Sequence, residues 1–254
     1  MVIVLPVFTT AAALDDATPT VPQLIALKDL IQTNDTTLDA TLAELDTFFA
    51  LNPDHADQPF YLNMKTYNFI LKQNYISAYE VLLEAREQAN KHDNRNALAE
   101  SYRLEGLILD LSGEHASALE ALYNALDLYI SLESERILSV YSTLGNVYSS
   151  LKDYEQLLVI GKRYLAAAQR LNSPRNEGIA YYHQGFAHTE LGRYKEAQIN
   201  LLLANELLTE IDYPFISIVY STMANLHIAQ NNLSEALKKL NEAAEADRKV
   251  GFRH

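Results

Sequence analysis

Seven histidines and 33 carboxylates are the side chains in this 254-residue sequence that could ligate a metal or move a proton. Ligation from one helix needs two such groups on one face, as at i and i+4. His183 and His188 are five apart, which turns them to different faces. His188 and His227 are 39 apart and fall in line with Leu109 and Tyr148 at intervals of 39 and 40. A position filled by Leu, Tyr, His and His is a packing position. The acidic pairs Glu133/Glu135 and Glu242/Glu245 fall on faces expected to meet water, where solvation accounts for them. Cysteine is absent, which removes disulfides, thiolate nucleophiles and Cys-ligated zinc together. No H-E-x-x-H, glycine-rich phosphate loop or nucleophile elbow occurs. No catalytic, cofactor-binding or metal-binding residue is therefore assigned, and binding is the function that remains.

Charge narrows what could be bound. A formal net charge of −13, with only short basic pairs such as Lys162-Arg163 and Lys238-Lys239, argues against nucleic acid, whose binding draws on clustered cations. The first 13 residues carry no charged side chain and end in Ala11-x-Ala13, ahead of a polar stretch over 14–20. They are too few to span a bilayer as a helix, but suit the apolar region and cleavage site of a secretory signal. No basic residue precedes them, so either the start of a signal is clipped or this is an unusual apolar stretch packed on the remainder.

The elements that would position a binding surface are helices. Eight Gly and seven Pro are few for this length, and 48% of residues are hydrophobic. Gly106, Gly145, Gly185 and Ala224 recur at spacings of 39, 40 and 39. Twelve residues beyond each lie Ala118, Leu157, Ala197 and Ala236, and seven further on lie Ala125, Tyr164, Ala204 and Ala243. Thr66, Ala78 and Ala85 fit the same register. Small residues at such places let two helices approach closely. Gly113, Gly192 and Asn231 fall where a left-handed residue would end the first helix of a pair. Tyr102, Tyr141, Tyr181 and Tyr220 stand four residues before the Gly/Ala position and are expected in the helix seam. The third copy exchanges large for small, with Leu157, Gly161 and Tyr164, which implies either compensating repacking or a change of curvature. Before the array, 22–33 and 36–51 carry apolar residues at helical spacing, with Asp35 as a candidate cap, and read as a divergent first pair over 21–52.

This ladder, with turns such as Leu191-Gly-Arg-Tyr194, resembles the tetratricopeptide repeat family, with five copies over about residues 59–250 and a period longer than the usual one of about 34. The resemblance implies an all-α, right-handed superhelical solenoid of antiparallel helix pairs. It also implies that the first helix of each pair lines a concave face. On that stripe lie Phe60, Asn63, Tyr67 and Ile70; Glu100, Arg103, Leu107 and Asp110; Ser139, Ser142, Asn146 and Ser149; Ile179, Tyr182, Phe186 and Thr189; and Ile218, Ser221, Asn225 and Ile228. Asn146 and Asn225 are equivalent and resemble the concave-face asparagines of peptide-binding members, kinesin light chains among them. A side-chain amide pairs with extended peptide backbone whatever its sequence. Arg103, Tyr67, Tyr182, Phe186, Asn63, Ser142 and Ser221 complete the expected ligand-contact set. With Arg103 as its only cation, beside Glu100 and Asp110, the stripe does not suit a clamp for a C-terminal carboxylate.

The expected partner is a protein or peptide, with no cofactor and no nucleic acid. The signal-like start, the lack of cysteine, the long repeats and a last helix without a polar capping helix resemble the sensor regions that precede a membrane span and a GGDEF or histidine-kinase output domain in bacterial signalling proteins. On that reading the solenoid is periplasmic or otherwise extracytoplasmic, and the membrane is met only through a further C-terminal segment. The alternative is a self-contained scaffold or adaptor, in the cytoplasm or outside it, which buries its last helix by other means such as dimerisation.

Overall fold

The structure, a computed structural model, describes residues 22–33 and 37–251. The apolar start, the polar stretch after it and the Asp35 cap lie outside the described residues. Among those described, every regular element is a helix: α1 (Pro22–Thr33), α2 (Leu38–Leu51), α3 (Gln58–Leu71), α4 (Tyr75–Lys91), α5 (Arg95–Leu111), α6 (His115–Ser131), α7 (Ile137–Ser150), α8 (Tyr154–Arg170), α9 (Pro174–Glu190), α10 (Tyr194–Glu210), α11 (Ser217–Ala229) and α12 (Leu233–Gly251). None is long and apolar enough to cross a membrane.

One joint recurs between them. At each of the nine turns from α3 to α12 a single residue takes the left-handed conformation: Gln73, Asp93, Gly113, Glu133, Lys152, Asn172, Gly192, Asp212 and Asn231. The next residue's N–H reaches back five positions to a carbonyl of the helix just ended, as in Asn74 to Phe69 at 2.9 Å and Glu114 to Leu109 at 2.8 Å. At seven of the nine turns that same residue then opens the following helix. Asn74, Asn94 and Asp153 accept the backbone N–H groups of Ser77, Ala97 and Gln156 at 3.2, 3.0 and 3.1 Å. Gly113, Gly192 and Asn231 occupy the place expected of them. Six non-glycine residues do so as well.

The chain divides into two compact units between Thr143 and Leu144. In the unit that precedes this point, α1 and α2 bury Leu24, Leu27, Ile31, Leu45 and Phe49 against Tyr61 and Leu62 of α3 and Ala85 of α4. Ala78, Ala85, Ala118 and Ala125 are fully buried. A β-carbon on Gly106 would lie 2.5 Å from Leu122 Cγ, so only glycine admits that approach of α5 and α6.

In the unit from Leu144 onward the same contact recurs between Gly185 and Leu201, where a β-carbon would meet Cγ at 2.7 Å. The third copy is repacked. Gly161 stands where Leu122 and Leu201 stand elsewhere, and two side chains of α9 fill the space. A β-carbon on Gly145 would meet the His183 ring at 2.8 Å, and one on Gly161 would meet Gln184 Cγ at 2.8 Å. Leu157 and Tyr164 are fully buried, and the Tyr164 hydroxyl donates to Asn176 Oδ1 at 2.6 Å. On α12, Leu240 is 44% exposed, although Leu82, Leu122 and Leu201, its counterparts in earlier copies, are 0% exposed.

Candidate binding stripe

In the unit before Leu144, most of the first-helix stripe is internal rather than open. Asn63 is 4% exposed. Its Nδ2 donates to the Ala97 carbonyl at 2.8 Å and its Oδ1 accepts from Ser101 Oγ at 2.9 Å, so it ties α3 to α5. Arg103 is 1% exposed, which corrects its assignment as a ligand contact. The cause is one turn away: Glu100 receives Arg103 Nε at 3.1 Å and Nη2 at 2.6 Å, and also the Tyr129 hydroxyl at 2.9 Å, with Arg136 at 3.8 Å. Burial opposes ionisation of Glu100, yet the facing guanidiniums hold its carboxyl down to about 2. Burial likewise drives the Tyr129 phenol upward. Asp110 meets His115 at 2.8 Å, and its carboxyl is raised by burial, with His115 acting against the rise. Tyr67 is half-buried against the core formed with α1 and α2, and Ser142 is half-buried.

In the unit from Leu144 onward half of the stripe is buried as well: Asn146, Ile179, Tyr182, Thr189 and Ile218. Asn146 is 7% exposed, and its amide nitrogen is buried with no hydrogen-bond partner. A buried amide donor left unmade costs about 1–3 kcal/mol. Tyr182 is 9% exposed, its ring 6.4 Å from Phe186 and nearly parallel at 22°. Burial pushes its phenol up to about 12, against a hydrogen bond with Thr222. Tyr154, which opens α8, sets its ring edge-on to Phe186 at 5.9 Å. Ser221 is half-buried and Asn225 and Ile228 are exposed. The sequence reading had all these positions open. The burial of Tyr182 and Asn146 follows from stacking: α9 has the Gly145 face of α7 on one side and α11 on the other, whereas among the described residues α9 is the one first helix that α11 meets. The two asparagines are therefore equivalent in register but unequal in access.

Sequence reasoning missed two groups. Tyr129 stands where Ala89, Ala168 and Leu208 stand in other copies, and an out-of-place Tyr was the available signal. Arg136 gave none, since it belongs to the five-residue connection from α6 to α7. No cluster of three or more metal-ligating side chains occurs among the described residues. A cavity of about 180 Å³ lies off the stripe, between Tyr213 and Ile216 of the α10–α11 connection and Glu242 and Glu245 of α12.

Short helices joined in pairs by one repeated turn, with small residues where paired helices touch, define a tetratricopeptide-like helical-repeat scaffold. Solved structures share it. BtubC (BKLC) from P. vanneervenii superposes with a TM-score of 0.67 at 15% identity, covering 90% of this chain and 94% of that one. A Rap protein complexed with competence and sporulation factor gives 0.73 at 14%, covering 93% and 68%. A putative kinesin light chain with nearly identical TPR-like repeats from Podosopora anserina gives 0.60 at 13%, covering 77% and 98%. At these identities the likeness is one of fold. No family model matches the sequence. No curated protein matches it either.

Proposed function

We propose that this protein is a peptide- or protein-binding repeat module, and that the ligand is held on the first-helix stripe of the unit from Leu144 onward. The observation that carries this is Asn146: a nine-tenths-buried amide whose nitrogen no protein group satisfies. A half-turn about its last torsion exchanges donor and acceptor, so either end can be offered to a peptide backbone. Asn225, two copies on, is exposed. The Rap protein of like fold was solved complexed with competence and sporulation factor, which is in keeping with this reading.

The test is selection from a displayed octapeptide library. The wild-type chain should enrich binders, and Asn146→Ala with Asn225→Ala should weaken the best of them by about 1–3 kcal/mol at unchanged helicity. Undiminished affinity in the double variant would reject the backbone clamp.

We further propose that the module is the extracytoplasmic sensor region of a bacterial signalling protein, supported by the signal-like first 13 residues and the absence of cysteine. A reporter active only outside the cytoplasm, fused after residue 250 of the full-length protein, should be active. Silence from an expressed fusion would overturn this and favour an adaptor in the cytoplasm.

A further inference from the structure

Of the 254 residues 20 are basic and 33 acidic, yet none of the ten stripe positions on α7 from Leu144, α9 and α11 is charged. The stripe of the other unit carries Glu100, Arg103 and Asp110. We infer that the occupant of the uncharged stripe is an extended, uncharged peptide segment of about six residues, with an aromatic or aliphatic side chain near its middle. This rests on the peptide-binding reading above and adds the ligand's length and chemistry to it.

Length follows from helix packing. His183 of α9 lies against Gly145 of α7, and α9 packs in turn against α11, so the three first helices are successive neighbours. Packed helices lie about 8–10 Å apart, which puts Asn146 and Asn225 about 16–20 Å from each other across α9. An extended chain advances about 3.3 Å per residue, so five or six residues bridge the two amides. Midway it crosses Tyr182 and Phe186, and beyond them Ile228, 49% exposed, adds apolar surface.

Charge is excluded by what the stripe lacks. An ionised side chain seated on this floor would lose water and meet no counter-ion on the stripe itself, a loss that burial makes costly, and the carboxylate beside it, Glu190, already accepts from the Tyr154 hydroxyl at 3.2 Å. The acidic remainder of the chain adds repulsion for a carboxylate. A cation gains only long-range attraction, which speeds encounter more than it holds a complex. One face of Tyr182 and one of Phe186 are turned toward each other at 6.4 Å, which leaves no room between the two rings for a cation. A phenyl or branched aliphatic group needs neither partner nor water and fits beside them.

Positional-scanning pools of acetylated, amidated hexapeptides test this, each pool fixed at one position as Phe, Leu, Asp or Lys, with tetrapeptide pools alongside. Binding is read by competition against the best octapeptide of the display selection, at near-physiological salt. Pools with Phe or Leu at the third or fourth position should compete at least about tenfold better than the Asp and Lys pools, and tetrapeptides should fall at least as far behind. Phe186→Ala, half-buried and checked by its thermal melt, should erase the preference for Phe and Leu over Asp and Lys at the middle positions. Asp or Lys pools equalling the Phe pool, or tetrapeptides equalling hexapeptides, would overturn this inference while peptide binding stood. A display selection that yields no binder would instead remove the peptide reading on which it rests.

Discussion

Replacing Glu100 with glutamine would leave two guanidiniums facing a neutral amide. Arg103 is 1% exposed and cannot turn to water, while Arg136 is 28% exposed and can in part. Removing one member of a buried ion pair costs about 3–5 kcal/mol, because the remaining charge stays uncompensated. Titration gives an independent figure. The fall of the Glu100 carboxyl from 4.5 to about 2 corresponds to about 3 kcal/mol of preference for its ionised form in the folded state. Since the folded value lies below the unfolded one, this contribution is complete above about pH 4.5 and fades as pH falls toward 2. Urea unfolding followed by far-ultraviolet circular dichroism should therefore show Glu100→Gln less stable than wild type by about 3 kcal/mol at pH 7, with the gap narrowing below pH 4.5. Adding Arg103→Met should recover part of the loss, because the stranded charge goes with it. A loss under about 1 kcal/mol at pH 7, or a gap that does not narrow in acid, would refute the account of this cluster.

Three further expectations concern stability. Burial lowers His183 from 6.5 to about 4, so the neutral ring's contribution is complete above pH 6.5 and declines by about 3 kcal/mol as pH falls to 4. His183→Gln should flatten urea midpoints over that window, and an unchanged slope would show that another group titrates there. Gly145→Ala drives a β-carbon to 2.8 Å from the His183 ring and should cost about 1–3 kcal/mol, less in a His183→Ala background; equal costs in both would remove the steric cause. Asn94→Ala deletes the acceptor for the Ala97 N–H and should cost about 1 kcal/mol, whereas Glu114→Ala, at a position with no side-chain cap bond, should cost little. Thermal melts of the two variants compare them directly.

The helical class and the paired repeat were legible because both rest on periodicity. Gly106, Ala118 and Ala125 are small for a reason that acts over a few ångströms between adjacent helices, and each copy repeats it. The repacking around Gly161 could be read as an exchange of volumes, but its solution could not. His183 and Gln184 arrive from α9, 22 and 23 residues away, and no local pattern announces them. Access was the weakest inference. Register correctly aligned Asn63, Arg103, Asn146 and Asn225, but whether each meets solvent depends on neighbours. Asn63 is consumed by Ala97 and Ser101, and Arg103 by Glu100. Of the four only Asn225 is exposed, on a helix that meets one other first helix among the described residues.

The repeated joint has a consequence for how such a chain can change length. Seven of the nine turns from α3 to α12 hold three residues, each with an assigned duty: one ends a helix, one turns left-handed, one opens the next. A single inserted residue would rotate the following helix by about 100° and carry its buried leucines and alanines off the interface. Surface loops ordinarily absorb insertions with little harm, but these turns lack the slack to do so. Drift by one residue should be tolerated chiefly in the longer connections, 132–136 and 211–216. Larger change would come by gain or loss of a whole helix pair, a unit of 39 or 40 residues that brings its own joints and leaves every phase intact.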